Sequence, residues 1–214
     1  LFVASYSNGL FLFDISKPFD PQTIGRTTEF DIPTNGIIRK GKYLLLSDNV
    51  GGVMVYDISQ PQEKIKFVKE LKTESGESWD ILADKEKKLM YVAAGTTGVE
   101  IWNIIDPANA KLISKVKGIT WDYAWGLSYD EATKRLFVSD KTNGVRIFDA
   151  SNPTKPALIK TYKTGGQNHF ALPYDTLLFL ANGPAGFETI SIKNVQKPKT
   201  VFKDIYSKPF VTGM

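Results

Sequence analysis

The 214-residue sequence contains no cysteine and a single histidine, His169. The first absence excludes disulfides and thiolate metal sites. It says little about compartment, because a domain with a large core needs no disulfide anywhere. With one imidazole available, a metal site would have to be built from carboxylates, and neither a DxDxDG run nor HExxH spacing occurs. No metal and no other cofactor is expected. No uncharged apolar stretch approaches the ~20 residues of a membrane-spanning helix. A sustained apolar period of 3.6 residues is also missing, so no stretch is expected to be an amphipathic helix. Basic residues number 27 against 23 acidic ones, and the densest clusters, Lys85–Lys88 and Lys197–Lys199, are short. Nucleic-acid binding calls for a concentrated basic stripe, so no nucleic-acid partner is expected.

What is present favours strands. Aromatic residues make up 12% of the chain and fall, with the β-branched ones, in short runs. Five segments align without gaps: 1–16, 44–59, 90–105, 136–151 and 178–194. Their anchoring glycines, Gly9, Gly52, Gly98, Gly144 and Gly186, are 43, 46, 46 and 42 residues apart. That period suits a four-stranded propeller blade. Leu1–Phe13 is apolar enough to suggest a signal peptide, but it lacks a basic leader and matches the repeat, so it belongs to the fold.

Each segment is expected to form a hairpin. An apolar run leads to a polar turn ending in glycine, which accepts positive φ at no steric cost. An alternating run follows (Leu10–Phe13, Val53–Tyr56, Val99–Trp102, Val145–Phe148, Phe187–Ile190). It closes on Asp14, Asp57, Asn103, Asp149 or Ser191, whose short side chains can hold a turn by bonding downstream backbone. Prolines then end the strand. An outer strand is expected at 23–30, 66–71, 112–116, 158–162 and 200–205. The innermost strand of the next blade would begin at Gly36–Ile38, Trp79–Leu82, Trp125–Ser128, Phe170–Leu172 and Phe210–Thr212. The whole chain, 1–214, is therefore expected to be one all-β domain, a β-propeller of four-stranded blades. Five blades are favoured, with Phe210–Met214 completing the blade that begins at Leu1. A fragment of a six- or seven-bladed ring is the alternative. The chain starts at Leu1 rather than Met, as expected of a processed or excerpted polypeptide.

These residues resemble the LVIVD-type repeat: an apolar strand, glycine, a strand ending in Phe/Tyr-Asp-Ile-Ser, then proline. Copies one, two and four fit best; copy three (Trp102-Asn103) and copy five (Ile190-Ser191) depart from the pattern. A WD40 assignment fits less well, because Trp79-Asp80 and Trp121-Asp122 do not end a third strand. The resemblance implies a bacterial or archaeal surface or secreted protein, hence an extracellular or cell-surface location. A repeat of this kind specifies a fold far better than a function.

In a propeller the loops leading into the innermost strands surround one mouth of the central channel. Here they carry Trp79, Trp125, His169 and Phe170, with Tyr123, Glu77, Asp80 and Asn168 nearby and Tyr6, Asn49 and Lys141 expected on the same side. Aromatic faces with polar tips suit a glycan, a cationic group or a peptide. Rings that plug the channel by packing on each other are the competing expectation. The leading hypothesis is a non-catalytic binding or scaffolding module with a glycan or protein partner. One alternative is a carbohydrate hydrolase using Glu77, Asp80, Asp122 and His169, since glycoside hydrolysis needs two facing carboxyls. Another is a structural spacer within a larger polypeptide or assembly. Asp14, Asp57 and Asp149 recur once per repeat, which marks them as structural.

Overall fold

The computed structural model describes residues 1–5, 9–27, 35–60, 64–116 and 119–204. Their strands form five antiparallel meanders. Blade 1 contains β1 (Phe2–Ser5), β2 (Gly9–Asp14) and β3 (Gln22–Thr27). Blade 2 contains β4 (Ile37–Lys40), β5 (Tyr43–Ser47), β6 (Val53–Gln60) and β7 (Lys64–Leu71). Blade 3 contains β8 (Asp80–Ala83), β9 (Leu89–Ala93), β10 (Val99–Asn103) and β11 (Lys111–Lys115). Blade 4 contains β12 (Ala124–Asp130), β13 (Arg135–Asp140), β14 (Gly144–Asp149) and β15 (Ala157–Tyr162). Blade 5 contains β16 (Phe170–Tyr174), β17 (Leu177–Ala181), β18 (Phe187–Ser191) and β19 (Lys199–Asp204). The all-β, five-bladed expectation holds, and four of the five expected innermost strands are in place. The fifth, Phe210–Met214, lies outside the described residues.

Blades pack face to face, so the central strands bury both sides. In β9, Met90 and Val92 face blade 2, whereas Tyr91 and Ala93 face blade 4. In β13, Leu136 and Val138 pack toward blade 3 and Phe137 toward blade 5. All seven of these side chains are fully buried. This explains why the first strand of each hairpin is a continuous apolar run instead of a strict alternation: with both faces covered, no position in the run needs to be polar. The equivalent face of blade 1 is the contrast. Leu1 and Val3 occupy the repeat positions of Leu136 and Val138, yet are 58% and 36% exposed. Lysines such as Lys66, Lys111, Lys160 and Lys199 line the outermost strands, which discourages edge-to-edge pairing with other sheets.

The turn glycines are explained by close approach as much as by φ. At Gly144, φ is +86°, and a Cβ would lie 2.2 Å from the carbonyl oxygen of Tyr162. All five blades also share a β-bulge at one repeat position, following Leu12, Val55, Ile101, Ile147 and Thr189. A bulge there bends and twists the outer edge of each blade.

The repeat aspartates behave as expected. Asp14, Asp57 and Asp149 each accept the backbone N–H two residues on, at 2.8, 2.8 and 2.9 Å. Asn103 does the same for Ile105 at 2.9 Å. Bonds from Ser59, followed by the Lys42 ammonium, hold the Asp57 carboxyl down to about 2. Because that value lies below the unfolded one, the stabilisation is present above pH 4 and is lost as pH falls through 2. Asp57→Ala is accordingly expected to lower the melting temperature modestly at pH 7. The difference from the parent should narrow between pH 4 and 2, which calorimetry across that range would show.

Candidate functional site: an aromatic channel mouth

The mouth is assembled by a clasp that recurs between blades. The turn joining the two hairpin strands of one blade accepts a backbone N–H from the loop leading into the next. Ser78 N donates to Asp48 O, Ala124 N to Gly95 O, and Asn168 N to Lys141 O, each at 2.9 Å. The turn residues and the loop residues thus share one end of the barrel of blades, as expected for Asn49 and Lys141. Asn35 and Asn49 meet through their side-chain amides at 3.4 Å. Tyr6 lies outside the described residues.

Four of the expected rings form a continuous array. Trp79 stands edge-on to Tyr123 and to Trp125, with centroids 5.4 Å apart in both pairs and interplanar angles of 77° and 68°. Trp125 in turn meets His169 at 4.3 Å and 52°. Trp79 Nε1 donates to the Tyr123 hydroxyl at 2.8 Å and to Glu77 Oε2 at 3.3 Å. The Tyr123 hydroxyl donates to the same Glu77 oxygen. Burial, with the Glu77 carboxylate beside it, pushes the Tyr123 phenol up to about 12, so it stays a donor at any physiological pH. Phe170 opens β16, where its ring lies close to Gly126 on the neighbouring innermost strand. His169 is 8% exposed. Burial first, and the nearby Lys141 cation second, lower its pKa, which favours the neutral imidazole. Trp79, Tyr123, Trp125 and Phe170 are half-buried, so the rings brace one another and still present surface.

The three candidate carboxylates are placed differently from one another. Glu77 belongs to the aromatic array. Asp122 accepts both the backbone N–H and the hydroxyl of Thr142, at 3.0 and 2.5 Å. Asp80 staples blade 3 to blade 4 by accepting Leu127 N–H at 2.8 Å. As a residue it keeps partial exposure, but its carboxyl is enclosed, and desolvation pushes its pKa up to about 7 against the pull of two backbone bonds.

Two features went unseen in the sequence. The first is Asp140, fully buried at the end of β13. It accepts the N–H groups of Asp122 and Tyr123 at 2.9 and 2.7 Å and pairs with Arg146 at 2.5 Å, so it fixes the loop that carries the rings. Arg146 sits at a repeat position that also holds Glu100 and Glu188, both buried and hydrogen-bonded. Charged residues recurring within an otherwise apolar strand were the available signal. The second is the placing of the Lys141 ammonium, 5.7 Å from the Tyr123 ring centre and 5.9 Å from that of Trp125; the sequence had put the residue at the mouth without these contacts.

Blade-to-blade packing, the clasps and a ring-lined mouth define the class as a β-propeller. Residues 1–28 and 135–164 match the LVIVD repeat, so the chain is a propeller with LVIVD repeats in blades 1 and 4. No curated protein matches the sequence. Among solved structures, the chain is similar to a periplasmic gluconolactonase of Pseudomonas aeruginosa, with a TM-score of 0.78 and 13% identity over 98% of this chain and 68% of the other. It is also similar to a chain of the mitotic checkpoint complex, with a TM-score of 0.76 and 12% identity over 96% of this chain and 61% of that one. A third likeness is to the computationally designed Ika8 protein, at 0.69 and 9%, covering 95% and 59%. The chain thus spans about three fifths of the last two. At such identities the likeness establishes the fold alone. No helix of the described residues is long and apolar enough to cross a membrane.

Proposed function

We propose that this propeller is a non-catalytic binding module, acting outside the cell or at its surface, that presents the Trp79–Tyr123–Trp125–His169 mouth to a glycan or protein partner. The observation that carries this reading is the rigidity of the ring array: every ring is braced by another, and Trp79 and Tyr123 are also tied to Glu77. Rings already held in place lose little entropy when a ligand covers them. The location rests on the resemblance of the repeats.

A hydrolase is the second reading, favoured by one feature, the raised pKa of Asp80, since perturbed carboxyls gather at active sites. Against it, Glu77, Asp80 and Asp122 are each engaged by donors of the fold itself. Trp125→Ala is expected to weaken ligand binding by about 1–3 kcal/mol, as for a central interface ring, measured by titration of intrinsic tryptophan fluorescence. Amide replacements at Glu77 and Asp122 should change that affinity by only a few-fold, whereas a hydrolase would lose most of its turnover. A Trp125→Ala protein with a lower melting temperature and undiminished binding would make the rings a plug.

A further inference from the structure

We propose that Lys141 makes the mouth a receptor for a carboxylate-bearing sugar ring, a uronic-acid residue of an acidic glycan. This deepens the reading of the mouth as a binding surface and rests on it. The repeat supplies its own control. Lys141 occupies the first turn position after the hairpin strand, with a left-handed φ of +31°. The same position in blades 3 and 5 is Gly95, at +52°, and Gly183, at +55°. In blades 3 and 4 the clasp needs only the carbonyl of this residue, which Gly95 supplies to Ala124 as Lys141 does to Asn168, whereas in blade 2 the preceding residue, Asp48, supplies it to Ser78. Glycine would meet that need without strain, whereas a Cβ in the left-handed region is disfavoured. Lys87 and Lys134 also take left-handed φ, in turns between strands, so what sets Lys141 apart is where its side chain ends.

That side chain ends over two rings of the mouth, Tyr123 and Trp125. Among the described residues no carboxylate lies within ion-pair distance of its ammonium. The neighbouring acids are otherwise engaged: Asp122 by Thr142, Glu77 by Tyr123 and Trp79, Asp140 by Arg146. The mouth thus combines aromatic surface with one cation open to an anionic ligand. Ring geometry selects the ligand's shape. Successive planes turn by 77°, 68° and 52°, so they form a faceted cup and not a continuous groove for an extended peptide. A pyranose stacks its C–H face on one facet while its carboxylate reaches Lys141.

The test compares oligogalacturonate with its methyl ester, which keeps the rings and removes the charge. Tryptophan fluorescence is expected to report binding of the acid at least tenfold tighter than the ester, with the preference shrinking as salt rises. Lys141→Gly should reduce the acid's affinity to that of the ester while the melting temperature stays level or rises; Lys141→Arg should retain the preference. Equal binding of acid and ester, both abolished by Trp125→Ala, overturns the acidic-sugar assignment and leaves the binding mouth standing. Binding of a polyglutamate peptide in preference to the acid sugar overturns the ligand class. Binding of neither saccharide also overturns it. A large loss of stability in Lys141→Gly overturns the argument from strain.

Discussion

Alanine in place of Asp140 is expected to destabilise the protein by about 3–5 kcal/mol, because one change strands several buried partners at once. Arg146, 7% exposed, would keep its charge inside the blade with only the Thr120 carbonyl and the face of Trp121 for company. The N–H groups of Asp122 and Tyr123 would lose their acceptor as well. Denaturant titration should show the loss directly, and a melting temperature lower by roughly 10 °C should accompany it. The double variant Asp140→Ala/Arg146→Met should recover a good part of the stability, since removing both charges leaves neither unpaired. Ligand affinity should remain impaired in the double variant, because the loop bearing Tyr123 still lacks its anchor. A loss under about 1 kcal/mol in the single variant would show that solvent reaches Arg146 easily.

The second large effect concerns Asp80 and pH. Its folded-state pKa, pushed up to about 7 by desolvation, lies above the ordinary carboxyl value. The folded state therefore holds this proton more tightly than the unfolded chain. The resulting stability is fully present below about pH 4 and is lost as pH rises through 7. Asp80→Asn should remove that dependence, since an amide carries no charge to desolvate and its oxygen can still accept the Leu127 N–H. At pH 8 the variant is expected to be more stable than the parent by on the order of 1–3 kcal/mol, a figure discounted for the residue's partial exposure. At pH 4 the two should be similar. Unfolding curves at both values test this; an unchanged slope in the variant would mean that water reaches the carboxyl in the folded state.

Much of the architecture was legible because it is local and repeated. The five glycines at a period of 42 to 46 residues placed the hairpins, and the Asp-x-Ser turns at Asp14, Asp57 and Asp149 formed where the side chains could reach backbone two residues on. Hairpin register and such turns depend on neighbours within a few residues, so repeating the pattern made it visible. The aromatic lead-ins were legible for a related reason: the repeat brought them to equivalent positions, and equivalent positions in a propeller share one end.

The chemistry of the mouth was a different matter. That Trp79 bonds Tyr123 across 44 residues, and that Trp125 meets His169, depends on how far one blade turns relative to the next. Asp80 and Glu77 are three residues apart, yet one staples two blades and the other holds a ring. Glu77 lies in the loop before β8 and Asp80 opens the strand, so the course of that loop and the position of blade 4 separate the two roles. By itself the sequence determined the repeated blade, its strand order and its turn chemistry, since these follow from short-range sterics and apolar patterning. The tertiary structure alone decided which charges are buried, which are paired and which ring a lysine covers, because solvation and contact at those sites are set by residues from adjoining blades.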